Sequence, residues 1–76
     1  MKKNIRKILK KSMTFQTPFD DNTMIFENGL IDSMGLIHVI DFIEQEFNIM
    51  LSDVDLQVEN FASVNAIEKF LEKKSI

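Results

Sequence analysis

The chain has 76 residues, 45% of them hydrophobic and 28% charged, with a formal net charge of −3 and no cysteine. That length and composition fit one folded domain over residues 1–76 with a single small core, and the missing cysteines exclude disulfides and thiolate metal sites. With one histidine and no cysteine, nucleophiles and bases are scarce, so an enzyme is not expected.

The apolar runs are too short to span a membrane, and the basic start lacks the apolar stretch of a signal peptide, so a cytoplasmic protein is expected. The charge is unevenly spread. Lys2, Lys3, Arg6, Lys7, Lys10 and Lys11 supply six of the nine positive charges, with no acid among the first nineteen residues. The remainder sets twelve carboxylates against Lys69, Lys73 and Lys74. An acidic body argues against broad binding to a phosphate backbone, so no nucleic-acid partner is expected; it suits charge-steered docking to basic proteins.

Residues 2–13 read as a first helix, with Ile5, Ile8, Leu9 and Met13 at helical spacing and lysines on the other face. Cations near its N-terminus oppose the macrodipole, so the helix should fray unless it is packed. The lysine run reads as a solvated face. Residues 14–32 hold the one proline, Pro18, and the turn pair Asn28-Gly29. Phe15, Phe19, Met24, Ile25, Phe26, Leu30 and Ile31 make the stretch too apolar for a mobile linker, so an ordered loop packed over the core is expected.

A second helix is predicted from Ser33 to Phe47, with Asp32 or Ser33 as N-cap, a buried stripe of Leu36, Ile40, Ile43 and Phe47 flanked by Val39, and a stop at Asn48. A helical wheel puts Met34, Ile37, His38, Asp41 and Gln45 away from that stripe. Residues 48–62 are irregular, anchored by Ile49, Leu51, Val54, Leu56, Val58 and Phe61, with one short turn near 58–61. Ser63 then caps a last helix to Lys74, with Val64, Ile67, Phe70 and Leu71 inward. The expected fold is all-α: a small bundle of three main helices plus one short helix, with a long loop between the first two.

Most chemistry can be set aside. Asp53 and Asp55 lack the glycine and terminal glutamate of a calcium loop, and Asp20, Asp21 and Asn22 fail the same test. The two glycines, at 29 and 35, form no phosphate loop. His38 has no second imidazole beside it, so no metal site is expected. What remains is Gly29-Leu30-Ile31-Asp32-Ser33-Met34-Gly35-Leu36. Ser33 follows a long loop at a helix N-terminus, where free N–H groups and the dipole favour an anion, and Gly35 keeps bulk low nearby. The plainer reading, that Ser33 only caps the helix, stays open on these grounds.

Asp32-Ser33-Met34 within GLIDSMGL resembles the phosphopantetheine attachment motif of acyl carrier proteins. The likeness runs in order from Met24 to Leu71: Phe26–Ser33 resembles the family's loop ending, Phe47 stands where the helix ends in an aromatic, and Glu59-Asn60-Phe61-Ala62-Ser63-Val64 resembles the junction into its last helix. The resemblance implies a carrier rather than a catalyst, with 4′-phosphopantetheine moved from coenzyme A onto Ser33 by a phosphopantetheinyl transferase. Asp32 would help engage that transferase and its magnesium ion. Met34, Ile37, His38 and Asp41 would form a docking face for the transferase, for an acyl- or aminoacyl-activating ligase and for downstream acyl-using enzymes, with the carrier a monomer. Fatty-acid carriers show a more acidic second helix than Met34, Gly35, Ile37 and His38 allow. The GLIDSMGL form and basic first helix look more like free-standing carriers of aminoacyl, peptidyl or specialised acyl groups. Two other readings remain: an unmodified helical interaction module, and a small nucleic-acid binder using the first helix.

Overall fold

The computed structural model describes residues 1–13 and 15–74. Thr14, in the expected loop, lies outside the described residues. The elements are α1 (Lys2–Ser12), α2 (Ser33–Phe47), two 3-10 turns (Asp53–Asp55 and Val58–Phe61) and α3 (Val64–Lys74). The described residues contain no strand, and the all-α bundle expected from the sequence is the one observed, with the turn at Asp53–Asp55 as an addition.

α1 buries Ile5, Ile8, Leu9 and Ser12, and Met13 follows them into the core. The Ser12 hydroxyl is satisfied locally, donating to the Ile8 carbonyl at 3.0 Å. The helix has no side-chain N-cap and no acid in its first turn. Packing against α2 and α3 holds it instead, together with acids reached from elsewhere. Arg6 makes a two-pronged contact with Asp21 at 2.8 and 2.7 Å, and Lys2 lies 3.4 Å from Glu68.

The following loop is ordered, as its apolar content predicts, but two of its residues point to water. Ile25 and Ile31 are buried, and Phe19, Phe26 and Leu30 pack against the core from its edge. Ile25 N–H donates to the Ala62 carbonyl at 2.8 Å and Asn65 N–H to the Asp21 carbonyl at 3.1 Å, which lash the loop to the start of α3. Gly29, at φ 70°, supplies the left-handed residue of the last turn. Phe15 is 79% exposed and Met24 is also exposed, so neither is a core anchor.

α2 ends at Asn48, whose left-handed backbone (φ 54°, ψ 50°) donates its N–H to the Glu44 carbonyl. Its buried line is Gly35, Val39 and Ile43, whereas Leu36, Ile40 and Phe47 are only half-buried. The expected stripe is therefore rotated toward Val39. The cause is Gly35, which has no side chain to hold α1 away.

Residues 48–62 depart furthest from expectation. Val54, Leu56 and Val58 are exposed, and only Phe61 is fully buried. Ile49 and Leu51 pack against the core as expected, and polar ties hold the segment where Val54, Leu56 and Val58 do not. Ser52 and Asp55 form a reciprocal capping box, Asn60 Nδ2 donates to the Asp55 carbonyl at 2.9 Å, and Lys74 pairs with the Asp55 carboxylate. Glu44 Oε2 accepts the Leu51 N–H at 2.9 Å. Ser63 Oγ then accepts the Ala66 N–H at 3.1 Å as α3 begins, and Phe61 meets Phe70 edge-on with ring centroids 5.4 Å apart.

Two outcomes are expected. Phe61→Ala should cost about 3–5 kcal/mol in a denaturant melt, and Phe47→Ala distinctly less because its ring is only half-buried. The second concerns acid. The hydrogen bond from Lys74, then those from the Ser52 backbone and hydroxyl, hold the Asp55 carboxyl down to about 2. A carboxyl depressed in the folded state stabilises above its ordinary value and loses that contribution as pH falls toward 2. A carboxyl ¹³C titration should show Asp55 staying ionised until pH falls to about 2, and Lys74→Met should move its midpoint upward.

Candidate functional site

Ser33 is presented by the junction of the loop with α2. Asp32 is extended (φ −91°, ψ −174°) and is the N-cap: its Oδ1 accepts the Gly35 N–H at 2.8 Å, and its carbonyl accepts the Leu36 N–H at 2.9 Å. Of the two candidate caps, the structure selects Asp32. Ser33 is thus the first helical residue and is exposed. Among the described residues its hydroxyl has no hydrogen-bond partner, and neither the Ser33 nor the Met34 N–H has an acceptor.

Gly35 also makes room for a close approach within the fold. A Cβ at this position would collide with Ile31 Cγ2 and lie 3.1 Å from the Ser12 carbonyl oxygen. Its missing side chain serves the seating of α2 on the end of α1. Cap, glycine and buried Ile31 together fix the backbone from which the serine projects.

The outward face of α2 continues from the serine. Met34 is 63% exposed and Ile37 52%, and His38, Asp41 and Gln45 are exposed beyond them. Asp32, Met34, Ile37, His38 and Asp41, which the sequence marks out, therefore form one accessible strip with Ser33. The strip is apolar near the serine and carries charge lower down. Glu44 is turned into the bond with Leu51, which leaves Asp41 and Glu46 as the exposed acids of α2. Among the described residues no group of three or more histidines and acids could hold a metal ion.

One feature beside Ser33 has no counterpart in the sequence reading. An open groove of about 320 Å³ is lined by Phe15, Thr17, Gly29, Leu30 and Asp32. Phe15 and Leu30 come to the same groove from separate parts of the loop, which neither helical nor strand periodicity reveals.

No protein-family model and no curated protein matches the chain. Among solved structures it is similar to the carrier protein from Agrobacterium tumefaciens, seen in complex with an engineered glycine:[carrier protein] ligase of Bradyrhizobium japonicum and AMP. The TM-score is 0.84 at 32% sequence identity, and the match covers 95% of this chain and 99% of that one.

The division of labour at the junction is testable by denaturation. Asp32→Ala should cost about 0.5–2 kcal/mol through the lost cap. Ser33→Ala should fall within about 0.5 kcal/mol of the parent, as expected for an exposed side chain with no partner. The reverse ranking would make Ser33 the structural residue.

Proposed function

This chain belongs to the acyl carrier protein family, and we propose that it carries acyl or aminoacyl groups on a 4′-phosphopantetheine arm joined to the Ser33 hydroxyl. The observation that carries this reading is the hydroxyl at the first position of α2, exposed and without structural work because Asp32 makes the cap. The surroundings fit a phosphoester. The unpaired N–H groups of Ser33 and Met34 and the positive end of a 15-residue helix suit one more anionic group. The arm supplies a thiol, on which cargo is held as a thioester, to a chain that has no cysteine.

The residues divide the rest of the task. Ser33 Oγ forms the bond to phosphorus as 3′,5′-ADP departs from coenzyme A. Among the described residues no base lies within hydrogen-bonding reach of that hydroxyl, so its proton passes to a base of the phosphopantetheinyl transferase. Asp32, with one oxygen committed to Gly35, is exposed beside the reacting oxygen and is suited to engage the transferase and its magnesium ion. Met34 and Ile37 serve as apolar anchors for partner enzymes, with His38 and Asp41 as their polar rim.

The Agrobacterium carrier is seen in complex with an engineered glycine:[carrier protein] ligase, which favours an amino-acid-activating ligase as the loading partner here. Among the described residues no helix is long and apolar enough to cross a membrane. Catalysis is assigned to the partners, and the chain presents and delivers.

Incubation with coenzyme A, magnesium and a broad-specificity transferase should add one phosphopantetheine mass, located by fragmentation to Ser33. Ser33→Ala should abolish the addition. Ser12, Ser52, Ser63 and Ser75 lack a preceding aspartate and should stay unmodified; Ser75 lies outside the described residues. A folded protein left unmodified by several transferases would instead be an unmodified helical interaction module.

A further inference from the structure

We propose that the groove between Phe15 and Leu30 holds the proximal, pantoyl part of the phosphopantetheine arm, so that only the distal, thiol-bearing part swings freely. The inference rests on Ser33 being the attachment residue. It starts from an aromatic ring out of place. Of the seven phenylalanines, Phe61 is buried, five are half-buried, and Phe15 alone is 79% exposed. That ring forms one wall of the groove, whose lining ends on Asp32, the residue immediately before Ser33.

Connectivity decides what can occupy the groove. In phosphopantetheine the phosphoester is followed by a methylene, then a carbon bearing two methyl groups, then a carbon bearing a hydroxyl, then an amide. With bonds of about 1.5 Å, the geminal methyls stay within about 5 Å of the phosphorus and so remain in the neighbourhood of Ser33. The groove reaches Asp32, the residue before Ser33, and so opens beside that stretch of the arm. Phe15 and Leu30 offer apolar surface to the two methyls. Thr17 Oγ1 already donates to the Phe15 carbonyl at 3.3 Å, so its lone pairs remain to accept a hydrogen bond from the pantoyl hydroxyl. Gly29 adds no side chain to the rim, and a Cβ there would meet nothing within 4 Å. An apolar wall, a hydroxyl and an open edge correspond in kind to this part of the arm.

The test compares apo and holo protein by NMR, after intact mass has shown complete conversion. The expected result is nuclear Overhauser contacts between the Phe15 ring and the geminal methyls, with chemical-shift changes at Phe15, Thr17 and Leu30. Phe15→Ala should convert as completely as the parent, since Phe15 lies outside the core. It should lose those contacts, and the relaxation of the methyls should shift toward that of free pantetheine. Full conversion with shifts confined to residues 32–35, or methyl relaxation identical in parent and Phe15→Ala, would overturn the groove assignment and leave the attachment intact. Failure of the parent to convert overturns both.

Discussion

Everything near Ser33 depends on how closely the start of α2 approaches the end of α1. Gly35 lies where a Cβ would stand 3.1 Å from the Ser12 carbonyl and inside the van der Waals envelope of Ile31. Closure at this point lets Val39 and Ile43 become the buried line of α2. It also turns Ser33, Met34 and Ile37 outward. Because Ile31 is itself a buried anchor of the loop, a side chain at position 35 would disturb the loop ending, the Asp32 cap and the helix pair together. Small-to-large changes in packed sites commonly cost about 1–3 kcal/mol, a large share of what so small a domain can supply.

With no disulfide, the remainder is held by a core of a dozen apolar residues and by polar ties where the core does not reach. The balance of charge follows the same economy. Arg6 and Lys2 are matched by Asp21 and Glu68 from later in the chain, and this links the N-terminal half of α1 to the loop and α3. Lys11 sits 5.8 Å above the Phe42 ring, covering part of the α1–α2 seam. Hydrogen bonding to Asp21 raises the Arg6 guanidinium and to Arg6 lowers the Asp21 carboxyl, so each stays charged across the physiological range. These pairs are partly exposed and will weaken in salt, whereas the buried contacts of Ile5, Ile8 and Leu9 will not.

What the sequence reveals and what it hides divide along physical lines. Helical periodicity is a strong local signal, and the bounds of α2 from Ser33 to the stop at Asn48 are readable from it. The buried face of α2 is less readable, because hydrophobicity alone centres it on Leu36 and Phe47 and gives a glycine no weight. Gly35 moves that centre by what it lacks. In residues 48–62 composition misleads in the opposite sense: Val54, Leu56 and Val58 look like anchors, but the capping box and the Asp55–Lys74 pair fix the segment and leave them in water. The strip of Met34, Ile37, His38 and Asp41 was legible because it follows from the helix register. The Phe15 groove was not, because it joins residues about fifteen apart through an irregular loop.

The junction also answers a difficulty posed by its own sequence. With Ser33 as the proposed attachment residue, Asp32 directly before it would stand beside the phosphodiester, and the repulsion of the two anions would oppose the modification. The first turn of a helix offers a small number of unpaired N–H donors, and here they are already apportioned. Gly35 N–H is bound to the Asp32 carboxylate, whereas the N–H groups of Ser33 and Met34 are unclaimed among the described residues. On the reading that Ser33 is the attachment residue, carboxylate and phosphate each have donors of their own, and both lie at the positive end of the α2 dipole. Had Ser33 made the cap, esterifying it would have cost the helix its N-terminal hydrogen bond. With the cap on Asp32, the hydroxyl can be esterified and the arm later removed without altering the bonds that hold α2 in place.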